Sequence, residues 1–515
     1  MPTKQPNILF IMCDQLAAQA LPFYGHPLVQ TPYLQQLAAR SVIFDAAYCA
    51  SPLCAPSRFA LMSGQLPSRT GAYDNAAHMP ADCPTMAHYL RNLGYQTSLV
   101  GKMHFVGPDQ LHGFEERRTT DIYPADYGWT PDWQHFDERP SWYHNMLSVV
   151  QAGTCQVSNQ LDYDEEVAFH AVRKLYDLAR TEDERPFFLL TSFTHPHDPF
   201  AIPPAYWNRY DHAAIDTPRV PPIPLAQMDP HSRRLHHVCA MDDYELTNAH
   251  VRNARHAYYG MISYIDDKVG QLLSVLHETG LDENTIIIFT ADHGEMLGER
   301  GLWYKMSFFE WSARVPLLIC APRQSAAKRI STPVSLIDLL PTLVDLAGGD
   351  AGDLAAPVDG HSLAVLLADA EPAVDRMVAA EYLAEGAIAP CLMLRHRPHS
   401  ESDYKYIASP ADPEQLYNLA ADPHELCNLV DDPAAAGLLD MFRQQAAAHW
   451  HVENVHAQVL ASQKQRILVQ NALMQGQHTS WDFQPQQDAS KRYMRNHLDL
   501  NVLERTARFP RPDAP

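Results

Sequence analysis

No CxxC pair, HExxH segment or other zinc-type spacing occurs in this sequence, although it holds nine cysteines and 27 histidines. No local motif therefore points to a zinc site. Positive charge is scarce: 39 lysines and arginines face 61 acids, a formal charge of -22. Nucleic acid and anionic membranes need a basic face, so neither is an expected partner. That balance also disfavours long-range capture of a multiply charged anion; a zwitterionic or cationic substrate is less repelled. Near the start, the apolar reach from Asn7 to Cys13 is too short for a membrane span and no small-residue cleavage site follows it. It reads as the start of a cytoplasmic protein. The cysteines, scattered and odd in number, fit a reducing compartment.

The chain is 515 residues long, too much for one compact core and suited to a large domain plus a smaller one. Several short runs are apolar throughout, as interior parallel strands are: NILFIM (7–12), YQTSLV (95–100), PFFLLTSF (186–193), TIIIFT (285–290) and VPLLIC (315–320). Helical patterns lie between them at 164–180 and 255–280, the latter stopped by Gly280. The alternation predicts an α/β fold, a doubly wound sheet flanked by helices.

The residues just beyond these runs carry the chemistry. The first run leads to Asp14, the second to Lys102 and His104, the third to His195, His197 and Asp198, and the fourth to Asp292 and His293. Ligands of open α/β sheets bind outside the carboxyl ends of the strands, so these side chains are expected to share one site. Asp14 and Asp292 offer hard oxygen ligands to a divalent cation. His293 adds a nitrogen, which extends the expected metals from Ca2+ and Mg2+ to Mn2+.

Cys54 opens the segment CAPSR, followed by a helical pattern. Proline two residues on, and no recognisable paired histidine, argue against a papain-like thiol nucleophile. CAPSR resembles the C-x-P-S-R signature of the type I sulfatases, within the alkaline phosphatase-like superfamily. The resemblance extends to PNILFIMCDQ, GKMHF, TADHGEMLGERGLWYK and, at 414–429, EQLYNLAADPHELCNL, which is similar to the family's C-terminal hairpin. It implies a large mixed sheet with a smaller C-terminal α+β subdomain, and oxidation of Cys54 to formylglycine by a maturation enzyme. One hydroxyl of the hydrated aldehyde would attack sulfur, and the other would later expel sulfate. A helix start at Cys54 would place the developing charge near a positive helix end. Also by resemblance, Asp14, Cys54, Asp292 and His293 hold one divalent ion (Ca2+ or Mn2+, with Mg2+ a further fit). Arg58 steadies the diol, Lys102 and Lys305 neutralise sulfate and leaving oxygens, and His104 is the base for sulfate release. His197, in preference to His195, protonates the departing alkoxide.

Many arylsulfatases carry paired aspartates where this chain has Cys13-Asp14, and asparagine at the place of His293. The departure is similar to the branch holding phosphonate monoester hydrolases and choline sulfatases. Residues 121–145 contain seven aromatics, Trp129 and Trp142 among them. On the residues alone they read equally as loop packing or as a wall for a quaternary ammonium. The segments GQLPSRTGAYDNAA, SFTHPHDPF and ASKRYMRNHLDLNVLE (489–504) resemble choline sulfatases. That likeness implies hydrolysis of choline O-sulfate in the cytoplasm, with a cation pocket at Trp129, His144, Asn145 and Glu385, preferred over Glu381. It also implies a homo-oligomer, dimer or tetramer, whose C-terminal tail supplies Asp499 to a neighbouring subunit. The tail beyond 475 has mixed charge and little apolar periodicity, so it cannot fold around its own core. The expected division is a catalytic domain at 1–375, a subdomain at 376–475 and an oligomerisation tail at 476–515. A phosphonate monoester or phosphodiester hydrolase, or an arylsulfatase, is the alternative; a catalytically dead binding protein would have lost some of the set that is intact here.

Overall fold

The computed structural model describes residues 5–321, 327–368, 375–399, 402–486, 488, 493, 497 and 499–512. Of the tail segment 489–504, residues 489–492, 494–496 and 498 lie outside the described residues.

An eight-stranded sheet forms the centre. Its order from one edge is Lys328–Ile330, Val42–Phe44, Leu317–Cys320, Thr285–Ala291, Asn7–Cys13, Phe187–Ser192, Gln96–Gly101 and Glu116–Arg117. Asn7–Cys13, Thr285–Ala291 and Phe187–Ser192 are buried almost throughout, because helices cover both faces of a sheet built by crossover connections. The expected parallel pairing holds for the four central strands. The fifth apolar run departs from it. Leu317–Cys320 runs antiparallel to both neighbours, and Arg314–Val315 splits off to pair with Ala47–Tyr48 in a separate three-stranded sheet. An apolar run reports burial on two faces and carries no information on strand direction.

Two long helices pack on each other beside this sheet, Asn159–Arg180 and Asn248–Glu278. The Ser158 side chain accepts from the Leu161 N–H at the start of the first. Thr247 and His250 form a reciprocal capping box at the start of the second. Gly280 adopts φ +70 just beyond it, the left-handed stop its sequence announced.

A four-stranded antiparallel sheet comes next in chain order, Met377–Tyr382, Cys391–His399, Ser402–Ser409 and Asp412–Asn418. The hairpin expected at 414–429 is displaced. Its first residues form the outer strand paired with Ser402–Ser409, and 419–429 return as turns tied by Leu429 N–H to the Leu416 carbonyl. Helices Ala436–His449 and Val452–Leu473 close the unit. Arg466 of the second helix forms a buried bidentate pair with Asp74, at 2.7 and 2.6 Å.

Candidate active site

The carboxyl ends of four adjacent strands deliver the site. Asp14 follows Asn7–Cys13, Lys102 follows Gln96–Gly101, His197 lies in the loop after Phe187–Ser192, and Asp292 and His293 follow Thr285–Ala291. Cys54 is the first residue of the helix Cys54–Ser63, which has Leu53 as its cap. Its side chain therefore sits where unpaired backbone N–H groups gather.

Asp14, Cys54, Asp292 and His293 are all buried, and one ligand atom from each lies within 4.8 Å of the others. Cys54 Sγ is 3.7 Å from Asp14 Oδ1 and 3.3 Å from His293 Nε2. The His293 Nδ1–H is directed to the Gly294 carbonyl at 3.0 Å, which leaves the Nε2 lone pair facing the cluster. Two carboxylates, a free imidazole nitrogen and the side chain at 54 fit one divalent cation, with the imidazole fixed as metal-binding imidazoles are.

Cations surround this cluster. Arg58 Nε donates to Asp292 Oδ2 at 2.8 Å, and its Nη1 to the Lys102 carbonyl and Ser192 Oγ at 2.6 and 2.9 Å. Lys102 donates to Asp14 Oδ2. Lys305 donates to Gln15 Oε1 at 2.6 Å and faces His197 Nε2 at 2.9 Å. A chain of net charge -22 thus gathers three buried cations beside the cluster, where charge acts more strongly than at the surface.

The titrations follow from burial. Burial, with Asp14 beside it, pushes the Cys54 thiol up to about 12, so as a thiol it is a poor nucleophile at neutral pH. Burial also acts to raise the Asp14 carboxyl, but Lys102, His197 and Arg58 together hold it well below the usual range. His104 falls to about 3 through burial and then Lys102. His197 is lowered well below its ordinary value by burial and Lys305. Both imidazoles are therefore neutral near pH 7, each with a lone pair on one ring nitrogen.

His104 is held at φ +57, a strained setting for a side-chain-bearing residue. Asp121 Oδ2 fixes it by accepting from the Met103 and His104 N–H groups at 3.0 and 2.8 Å. Neither ring nitrogen of His104 meets a hydrogen-bond partner among the described residues. His195 differs: its Nδ1 and backbone N–H are both engaged by Asp164, at 2.7 and 2.9 Å. His197 is thus the member of that pair at the cluster.

The aromatic loop divides. Tyr123 lies over Lys102 Nζ at 4.2 Å and next to His104 and His197. Trp129 packs on His104 and Tyr123 and is stacked on Trp142, 6.4 Å between centroids. His144 stacks on Tyr304 and approaches His197, and the Asn145 carbonyl accepts from the Tyr304 hydroxyl at 2.5 Å. Trp133, Phe136 and Tyr143 line a cavity of 390 Å³ with Glu385, Arg234 and His237. Glu385 is buried with Oε2 unpartnered, and Lys305 is among the charges acting on it. Glu381, by contrast, is saturated by Ser68 and Trp450. Asp499 does not join the site within its own chain: it is exposed and caps the helix Leu500–Ala507.

Gln15 and Asp121 escaped the sequence reading. Gln15 bridges Lys305 and Glu295 and donates its backbone N–H to Asp292 Oδ1. Its position after a strand-end aspartate was the available signal. Asp121 sits in a loop with no periodicity and gave none.

Sequence comparison agrees with this geometry. The family model for sulfatases matches residues 6–349, and the chain belongs to the sulfatase family. Residues 457–509 match the model of the choline sulfatase enzyme C terminal, and 298–450 that of the N-sulphoglucosamine sulphohydrolase C-terminal region. The chain is similar to the choline-sulfatase of Rhizobium meliloti, 48% identical over 99% of this chain and 100% of that protein. It is more distantly similar to arylsulfatase K of Danio rerio, 29% identical over 81% and 78% of the two chains. In fold it resembles the phosphonate monoester hydrolase of Agrobacterium radiobacter, TM-score 0.70 at 24% identity, covering 88% and 96% of the two chains.

Proposed function

We propose that this protein hydrolyses choline O-sulfate to choline and sulfate. The carrying observation is the juxtaposition of a buried, cation-lined Cys54 cluster with the Tyr123, Trp129 and Trp142 wall: one half suits a sulfate, the other a quaternary ammonium. Asp14, Asp292, His293 and the side chain at 54 would hold a divalent ion, Ca2+ or Mn2+, which supplies Lewis-acid polarisation when bound. Formylglycine made from Cys54 by a maturation enzyme supplies a hydroxyl nucleophile as its hydrate.

The remaining steps belong to unmodified side chains. Lys102 and Lys305 bind the sulfate oxygens and oppose charge on the leaving oxygen. Arg58, fixed on Asp292 at 2.8 Å, steadies the hydrated side chain at 54 and the metal-side charge. His104, neutral and with both nitrogens free, takes the proton that sulfate release sets loose. His197 donates its Nδ1–H to the Asp198 carbonyl at 2.7 Å and accepts at Nε2 from Lys305 at 2.9 Å. It takes that proton from Lys305 and gives it to the choline oxygen, leaving Lys305 neutral until solvent reprotonates it. Trp129, His144 and Asn145 face the ammonium end, with Glu385 as counter-charge and Asp499 arriving from a neighbouring subunit of a homo-oligomer. We assign 1–375 to the catalytic domain, 376–475 to the subdomain and 476–515 to the oligomerisation tail. No helix among the described residues is long and apolar enough to cross a membrane; the likeness to choline sulfatases supports a cytoplasmic location.

The test compares kcat/KM for choline O-sulfate and a neutral aryl sulfate, on protein coexpressed with a formylglycine-generating enzyme. Preference for choline O-sulfate is expected. Preference for the aryl ester would keep the sulfatase chemistry and overturn the substrate.

A further inference from the structure

A second cluster of ligating side chains lies away from Cys54, where the helix Pro230–Val238 meets the four-stranded sheet. His231 is in the first turn of that helix, Cys391 opens the strand Cys391–His399, and Asp412 opens Asp412–Asn418. One ligand atom from each lies within 4.8 Å of the others.

The local bonding leaves these atoms available. The His231 Nε2–H is directed to the Met306 carbonyl at 2.7 Å, while its Nδ1 is buried and meets no hydrogen-bond partner among the described residues. That is the arrangement of a metal-binding imidazole, one nitrogen fixed by a carbonyl and the other left with its lone pair. Cys391 Sγ–H donates to the Ala389 carbonyl at 3.5 Å and lies beside the Ser409 side chain; its lone pairs are the ligating electrons once that proton is lost. Asp412 is gripped by Arg234 at 2.9 and 2.5 Å; each carboxylate oxygen keeps a second lone pair, and the grip fixes its orientation.

We infer that His231, Cys391 and Asp412 form a second metal site, taking one ion of the zinc class. Imidazole, thiolate and carboxylate together favour Zn2+ over Ca2+ or Mg2+, and three protein ligands leave the fourth tetrahedral position to water. Binding replaces the Cys391 S–H bond by a sulfur–metal bond and releases the proton to solvent. The charges close: the dication is met by the Cys391 thiolate and Asp412, while Arg234 offsets Asp229, which acts on both His231 and Cys391. The ion would tie the helix to the sheet and, through Met306, brace the segment that carries Lys305.

The full-length protein is first saturated with Mn2+, then titrated with Co2+ while thiolate-to-cobalt charge-transfer absorption is followed, with Zn2+ as competitor. One equivalent of Co2+ should produce the band in wild type and in Cys54→Ser, and Zn2+ should erase it. Cys391→Ser should abolish the band. His231→Gln, which keeps the thiol and covers the case that Cys391→Ser misfolds, should weaken Co2+ binding by at least about tenfold. No band in wild type, a band surviving Cys391→Ser, or unchanged affinity in His231→Gln would overturn the site.

Discussion

Glu385 shows how much one buried carboxyl can report. Burial raises it from 4.5 to about 7; Asp74 adds to the rise, and Lys305 opposes it. Arg233, Arg234 and His237 line the same cavity. Between these two pH values the folded chain holds a proton that the unfolded chain has released. Stability therefore falls as pH rises across that window, by up to about 1.4 kcal/mol per pH unit, and levels off above it. Glu385→Gln should remove the slope, so its Tm should gain on wild type between about pH 5 and pH 7. The same ionisation creates the counter-charge for a cation, so KM for choline O-sulfate should fall as pH rises through about 7, and the glutamine variant should lose that dependence. Trp129 offers a second test: Trp129→Ala should cost about two- to thirtyfold in kcat/KM for choline O-sulfate, the range of one cation–π contact, and less for a neutral aryl sulfate. Equal losses would make the ring packing. Asp14, Lys102, Asp292 and His293 could be expected together from the sequence because strand ends gather such residues at one edge; Cys54, Arg58 and Lys305 were expected there only through the resemblance. Asp121 was unreadable because its task, fixing the strained His104 backbone, exists only once the loop has folded.

At the scale of elements, the four central strands announced themselves through continuous apolar runs, and the long helices through their period and stops. The direction of Leu317–Cys320 did not, since pairing direction is set by the connection and not by the residues paired. Gly101 marks where strand geometry and site meet. Its φ is +109, and a Cβ there would stand 1.9 Å from the Ser192 carbonyl oxygen, one residue before Lys102. Gly94, at φ +91, has nothing within 4 Å. Gly94→Ala should therefore cost only backbone strain, about 1–2 kcal/mol. Gly101→Ala must also push its strand away from Phe187–Ser192 and should cost at least about 3 kcal/mol, with activity falling as Lys102 shifts. Urea unfolding of both variants separates the terms; equal costs would mean that the Ser192 contact is relieved without disturbing the strands.

For the molecule as a whole, the open matter is what the tail covers. Among its described residues, Trp481 packs on Tyr127 at 5.2 Å, Phe483 accepts Arg117 over its ring, and Phe509 approaches Tyr176. These three described residues pack on their own chain, while Asp499, the cap of the helix Leu500–Ala507, is exposed. Leu500 and Val502 beside it are 49% and 47% exposed, an apolar edge that favours burial against another surface. If Asp499 serves a neighbour's site, removal of 476–515 should reduce the assembled size by light scattering and raise KM for choline O-sulfate. The sharper experiment mixes two defective chains. Asp499→Ala alone should show a raised KM, and Cys54→Ser alone should be inactive. Unfolded together and refolded, they would form assemblies in which an intact Cys54 site meets an intact Asp499 from its neighbour. A fraction of the population should then recover the wild-type KM. Were Asp499 to act within its own chain, no mixture could hold a complete site, and the KM would stay that of Asp499→Ala.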